Sequence, residues 1–131
     1  MNRHELRECV FKEVFQIPFY PEGVPEMESS DEIKADEEDI AFINSRVRDI
    51  ESHIEDIDSM IESHSNGWKL GRIGKAELAI LRVAVYEILF DVDIPDRVAI
   101  DEAIELSKTY SDPKSSPFVN GILDSVLRDK K

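Results

Sequence analysis

The segment that most constrains the fold is residues 75–90, which is apolar on nearly every side. Inside this run only Glu77, Arg82, Tyr86 and Glu87 are polar. A helix on a protein surface keeps a polar face, whereas a helix that is apolar all round must be enclosed by other elements. We therefore predict a helix at the centre of an all-α domain.

Other segments have the apolar spacing of amphipathic helices. Residues 39–61 place isoleucine or valine three and four positions apart, which predicts one long helix, in a bundle or in a coiled coil. Residues 3–16 and 98–110 show helical spacing too. A last helix is expected with Ser116 as its N-cap and Pro117 at its first position. Gly121 weakens this last helix, so we expect another backbone to approach it closely.

Two segments are predicted to interrupt the helices. Three prolines and a glycine lie between residues 18 and 25, which predicts a surface loop over residues 18–30. Ser65, Asn66 and Gly67 predict the end of the long helix, because asparagine and glycine most readily adopt the left-handed conformation. No alternating strand pattern competes with the all-α interpretation.

The charge of the chain is strongly negative and unevenly distributed. The formal net charge is -13, which argues against binding duplex nucleic acid unaided. Residues 1–65 carry six basic and eighteen acidic side chains, and residues 66–131 carry ten and eleven. Such an acidic half suits a basic protein partner, although a solubilising surface explains it as well.

No residue constellation in the sequence indicates catalysis. Cys9 has no second cysteine for a disulfide or a zinc site, and His4, His53 and His64 lack ligand spacing. The glycines match neither phosphate-binding nor dinucleotide-binding patterns. We therefore expect a non-enzymatic protein without metal or cofactor. The absence of a long apolar run or leader pattern predicts a cytoplasmic protein.

A series of motifs in the second half resembles one known family. The segments are WKLGRI at 68–73, ELAILRVAVYEIL at 77–89, DIP at 93–95, VAIDEAIELSK at 98–108 and FVNGILD at 118–124. In this order and spacing they resemble the NusB family of bacterial antitermination factors. The resemblance implies one all-helical domain of two packed three-helix subdomains, at about residues 1–65 and 66–131. It also implies binding of boxA-type RNA together with NusE, a ribosomal protein that is also a transcription factor. In that assembly RNA polymerase transcribes through terminators, notably in ribosomal RNA operons.

The resemblance also implies two binding faces. Its RNA face corresponds here to Arg3, His4, Arg7, Lys114, Ser116, Phe118 and Asn120. Its NusE face corresponds to Phe15, Phe19 and Glu77. Core packing would equally explain Phe15 and Phe118, a backbone contact would explain Asn120, and the helix dipole would explain Glu77.

The N-terminus departs from the family pattern because it is poor in arginine, and Glu5 and Glu8 offset Arg3 and Arg7. An alternative is therefore a helical adaptor, or a self-associating homodimer, with weak RNA binding. A third reading, the RNA-binding domain that precedes some methyltransferases, is disfavoured because residues 1–131 leave no room for a cofactor domain.

Overall fold

The computed structural model describes residues 1–29 and 34–130, and within them every regular element is a helix. The α-helices are α1 (Arg3–Val14), α2 (Glu37–Ser52), α3 (Ile54–Ser63), α4 (Lys75–Phe90), α5 (Asp96–Tyr110) and α6 (Ser116–Asp129). Short 3-10 helices occupy Ile17–Phe19, Leu70–Arg72 and Pro113–Ser115. The all-α prediction is confirmed.

Helix α4 lies at the centre of the molecule, as its sequence predicts. Ten of its residues are buried, among them Arg82 and Glu87. It packs against α1, α3, α5 and α6. Buried Arg82 donates both Nε and Nη2 to the carboxylate of Asp58, each over 2.9 Å, which joins α4 to α3 through a bidentate pair.

The prediction of one helix over residues 39–61 is wrong, because the helix is interrupted at His53. The backbone there has φ -109° and ψ 14°, outside the helical region. Two side chains compete for the carbonyl oxygen of Asp49, which lies 2.8 Å from both Ser52 Oγ and His53 Nδ1. The His53 ring also packs on Phe90 of α4, with ring centroids 4.3 Å apart. These contacts divide the segment into α2 and α3.

The predicted helix stop after α3 is confirmed. Asn66 and Gly67 both have positive φ, 53° and 87°. The predicted loop over residues 18–30 begins inside the 3-10 helix Ile17–Phe19 rather than in irregular backbone. Its last residue, Ser30, lies outside the described residues, as does Lys131.

Two expectations for the last helix are wrong. Ser116 is the first helical residue and not the N-cap, because the 3-10 helix Pro113–Ser115 leads directly into α6. Within residues 1–29 and 34–130, no atom outside the adjoining backbone of α6 lies within 4 Å of a Cβ placed on Gly121, so no second backbone in this part of the chain approaches it. The glycine is exposed on the surface of α6.

In the described part of the chain, three α-helices precede residue 65 and three follow it. Contacts of α4 with α1 and α3 connect the two sets, and the division into subdomains stays a prediction. Among residues 1–29 and 34–130, no helix combines the length and apolar character needed to cross a bilayer. The same residues contain no cluster of three or more metal-ligating side chains.

Candidate functional site

The N-terminus of α1 presents Arg3 and His4 to solvent. The helix starts with a capping box, in which Asn2 Oδ1 accepts from the Glu5 amide over 2.8 Å and Glu5 Oε1 accepts from the Asn2 amide over 3.0 Å. This cap fixes the first turn and the direction of its side chains. His4 Nδ1 lies 3.0 Å from Glu102 Oε2 on α5. Arg3 is exposed.

The side chain of Arg7 is buried, whereas a contact with phosphate requires an exposed guanidinium group. Its side chain is only 8% exposed, and its Nε donates to both carboxylate oxygens of Glu87, over 2.9 and 3.2 Å. Glu87 is itself 4% exposed. Burial raises the pKa of the Glu87 carboxyl, and the Arg7 guanidinium opposes that rise. Arg7 therefore joins α1 to α4 with most of its side chain covered, and its contact with RNA stays a prediction.

The segment before α6 places Lys114 in solvent and holds the two serines after it. The Lys114 amide donates to Asp112 Oδ1 over 2.9 Å, which fixes the 3-10 helix. Ser116 Oγ lies 2.7 Å from Oγ of buried Ser107 on α5. The Ser116 hydroxyl thus positions the start of α6, and Lys114 is an exposed cation of this segment, two residues after the exposed carboxylate of Asp112.

Phe118 and Asn120 occupy the first turns of α6. Phe118 is partly buried and packs on the core, and its ring meets the Trp68 ring edge-on with centroids 6.4 Å apart. The Oδ1 atom of Asn120 is buried, and within the described residues no group donates to it. A backbone contact of this oxygen, the alternative explanation for Asn120, is therefore not found in that part of the chain.

The residues expected on the partner face lie around the end of α1 and the start of α4. Phe15 is partly buried, with its ring 6.4 Å from that of Phe11. Phe19 is 56% exposed, and Lys75 Nζ lies 4.9 Å from its ring centroid. This cation–π contact holds a large apolar side chain in solvent beside the first turn of α4.

A single hydrogen bond connects the partner residues to the RNA residues. Ser115 Oγ donates to Glu77 Oε2 over 3.0 Å, linking the first turn of α4 to the segment that carries Lys114 and Ser116. Phe19 contacts Lys75, Glu77 contacts Ser115, and Lys114 is the chain neighbour of Ser115, so these residues follow one another across the start of α4 and the segment before α6. We call this surface, from Phe19 through Glu77 to Lys114, the junction surface.

Two residues between the α1 end and the α6 start were missed by the sequence analysis. Lys12 Nζ lies 5.7 Å from the ring centroid of Tyr110, at the end of α5. Burial and a hydrogen bond with Glu8 raise the pKa of the Tyr110 phenol. The contacts of His4 with Glu102 and of Lys12 with Tyr110 show that α1 and α5 run parallel. Eight residues of helix separate the two contacts, which is about 12 Å along the helix axis. Lys12 follows Arg3 by nine positions and His4 by eight. This spacing of basic residues was the signal in the sequence that could have identified Lys12.

Comparison with known proteins gives one consistent family. The model of the NusB family matches residues 4–128. The transcription antitermination protein NusB of Clostridium perfringens is 44% identical, covering 100% of both chains. That of Natranaerobius thermophilus is 42% identical over 96% of this chain and 94% of its own.

Solved structures agree with the sequence relatives. NusB of T. maritima superposes with a TM-score of 0.84 at 34% identity, over 98% of this chain and 92% of that one. A chain from the crystal structure of antitermination factors NusB and NusE in complex with dsRNA superposes with a TM-score of 0.78. It is 25% identical, and the match covers 98% of this chain and 99% of that one.

Proposed function

The chain belongs to the NusB family of transcription antitermination proteins, and on that premise we propose that it binds boxA-type RNA jointly with NusE. In this proposal the bound pair acts in the antitermination complex of RNA polymerase. The RNA contacts come from Arg3, His4 and the start of α6, and the NusE contacts come from Phe19, Phe15 and Glu77. Arg7 positions α1 and does not touch RNA.

The observation that carries the proposal is the hydrogen bond between Ser115 Oγ and Glu77 Oε2, 3.0 Å long. It makes the expected partner residues and the expected RNA residues neighbours on the junction surface. A protein bound at Phe19 and Glu77 would therefore lie beside an RNA strand bound at Lys114. Exposed aromatic side chains flanked by charge are typical of residues that dominate binding energy at protein interfaces.

Electrostatics give the partner an active part in RNA binding. With Arg7 paired, Arg3, Lys12 and Lys114 are the cations near the proposed RNA path, in a chain of net charge -13. Each phosphate contact on a single strand changes the salt slope by about 0.7, so three contacts give a slope of about -2. A basic partner would bind the acidic chain and add its own cations to the RNA site.

We propose binding rather than catalysis for this surface. Its side chains are cations, aromatic rings and serine hydroxyls already bonded to Glu77 or Ser107. Cations suit phosphates and aromatic faces suit unpaired bases. The alternative of an adaptor with weak RNA binding is favoured by one observation, the burial of Arg7.

Two single substitutions test the proposal. Phe19→Ala should weaken NusE binding by at least about 10-fold, the loss expected for an interface anchor, and leave RNA binding by the protein alone unchanged. Lys114→Ala should weaken RNA binding and leave NusE affinity unchanged. Both affinities are measured by fluorescence anisotropy with labelled RNA and labelled NusE.

Arg48→Ala is the matched control, because Arg48 is an exposed cation on α2 that pairs with Glu26 away from the junction surface. Arg48→Ala should change the affinities for RNA and for NusE by no more than the loss of one positive charge at any exposed position would. If Lys114→Ala and Arg48→Ala weaken RNA binding equally, the proposed RNA site is wrong. If Phe19→Ala leaves NusE affinity intact, the proposed partner face is wrong.

A further inference from the structure

The segment between α3 and α4 combines an exposed aromatic ring with unopposed positive charge. Residues 63–76 form the longest stretch of the chain without aspartate or glutamate, 14 residues in a protein of net charge -13. They include the cations Lys69, Arg72 and Lys75. Trp68, the single tryptophan of the chain, is 52% exposed at the centre of this stretch.

The loop that carries Trp68 is held in one conformation. Asn66 and Gly67 turn the chain with positive φ, and the Trp68 amide donates to the Ser65 carbonyl over 3.1 Å. Ser65 is buried, and its hydroxyl lies within hydrogen-bond distance of the carbonyls of Glu62 and Trp68. Because these hydrogen bonds fix the backbone at Trp68, the indole is held in solvent.

The nearest acidic group is already engaged by the loop. Glu62 Oε2 accepts from the Leu70 amide over 3.0 Å, which ties this carboxylate to the backbone. Among residues 1–29 and 34–130, no carboxylate forms a salt bridge with Lys69 or Arg72. Both cations are exposed, beside the indole, in a shallow depression lined also by Asn66 and Gly67.

The Trp68 ring adjoins the start of α6. Phe118 meets it edge-on at 6.4 Å between centroids, with the ring planes at 76°. This geometry supports the indole from one side. Phe118 follows Lys114 and Ser116 by a few residues, so the loop surface continues the RNA contacts assigned to α6.

We propose that Trp68, Lys69 and Arg72 form a second RNA subsite. An unpaired base of a single-stranded segment flanking the boxA-type element stacks on the indole, and its phosphates contact the two cations. Aromatic platforms beside cations are how proteins bind single strands with little sequence preference. Unopposed cations favour a polyanion over an acidic or apolar protein segment. The subsite rests on the proposed function, because the RNA reaches it from the start of α6.

The test uses the full chain with NusE and two RNA probes, a boxA-type oligonucleotide and the same oligonucleotide extended by about six uridines at each end. The extended RNA should bind about 5- to 150-fold more tightly, the range for stacking one base on an aromatic ring. It should also quench tryptophan fluorescence saturably, and the short RNA should not. Trp68 is the single tryptophan of this chain, and subtracting the emission of the same mixture made with Trp68→Phe isolates the signal of this side chain.

Variants separate stacking from charge. Trp68→Ala should abolish the gain from extension, and Trp68→Phe should keep most of it. Joint replacement of Lys69 and Arg72 by alanine leaves the indole in place and should reduce the salt slope for the extended RNA by about 1 to 1.5. Val92→Ala is the control, because Val92 is 95% exposed and lies just beyond the opposite end of α4.

Each other outcome overturns the subsite. If the short RNA binds with NusE and extension gives no gain or no quenching, the subsite is absent and the proposed function stands. If neither RNA binds in the presence of NusE, both proposals fail. If NusE alone shifts the Trp68 emission, the surface contacts protein. If the emission changes with protein concentration in the absence of RNA, the surface joins two copies of this chain.

Discussion

Replacement of Arg7 by alanine would leave the Glu87 carboxylate buried without its cation. Glu87 is 4% exposed, and Arg7 supplies both of its charged hydrogen bonds, 2.9 and 3.2 Å long. Removal of one partner of a buried ion pair destabilises a protein by about 3 to 5 kcal/mol. For a chain of this length, that corresponds to a fall in Tm of about 10 to 20 °C. Urea and thermal unfolding followed by circular dichroism measure both quantities.

The loss should depend on pH, with a defined sign. Burial already raises the pKa of Glu87, and the loss of Arg7 raises it further. A carboxyl whose pKa is raised in the folded state contributes stability below its unfolded pKa and loses it as pH rises through the folded value. Arg7→Ala should therefore lie closest to the wild type in acid, and the gap should widen toward neutral pH.

Arg3→Ala is the control, because Arg3 is on the same helix, one turn earlier, and exposed. It should change stability by less than about 0.5 kcal/mol and weaken RNA binding. The structural role of Arg7 would be refuted if Arg7→Ala lost less than about 1 kcal/mol of stability and weakened RNA binding as Arg3→Ala does.

Two further predictions concern the backbone and a buried phenol. Gly121→Ala should stabilise the protein by about 1 kcal/mol in thermal unfolding, because the position is exposed within α6 and the added Cβ would meet no described residue outside the adjoining backbone of this helix. Gly67→Ala should destabilise the protein, since φ is 87° at this position. A gain in stability from Gly67→Ala, or a loss from Gly121→Ala, would contradict the backbone conformations described for these two glycines. Burial and the hydrogen bond to Asp49 raise the pKa of Tyr86 to about 12, so native stability should fall as pH rises from 10 to 12. In an absorbance titration, Tyr86→Phe should remove the tyrosine that ionises at the highest pH. If the substitution instead removes a tyrosine that ionises near pH 10, the raised pKa of Tyr86 is contradicted.

The helices could be predicted from the sequence where apolar spacing alone decided them. The run 75–90 gave the bounds of α4 and its central position, because a helix apolar on all sides has no other stable location. The division at His53 could not be predicted. It depends on the packing of His53 against Phe90, a contact between residues far apart in the chain.

The resemblance of the motifs names the candidate site residues, and their roles in binding stay predictions. Motif resemblance named Phe19, Glu77 and Lys114. The spacing of these residues along the chain does not show that they share a surface, and the contacts of Glu77 with Ser115 and of Phe19 with Lys75 come from the fold. The resemblance also assigned Arg7 to RNA, because an arginine beside a helix N-terminus looks the same in sequence whether it faces solvent or a buried carboxylate. The partner of Arg7 is 80 residues away, and only the fold brings the two together.

Joint binding is decided by the affinity for boxA-type RNA, measured for the protein alone and with purified NusE. The measurement is made at two salt concentrations, with a scrambled RNA as control. Joint binding predicts that NusE strongly tightens binding of the boxA-type RNA relative to the scrambled one, with a steeper salt slope in the ternary complex. If NusE binds but boxA-type RNA is held no more tightly than scrambled RNA, the protein is an adaptor and the account of RNA recognition is wrong.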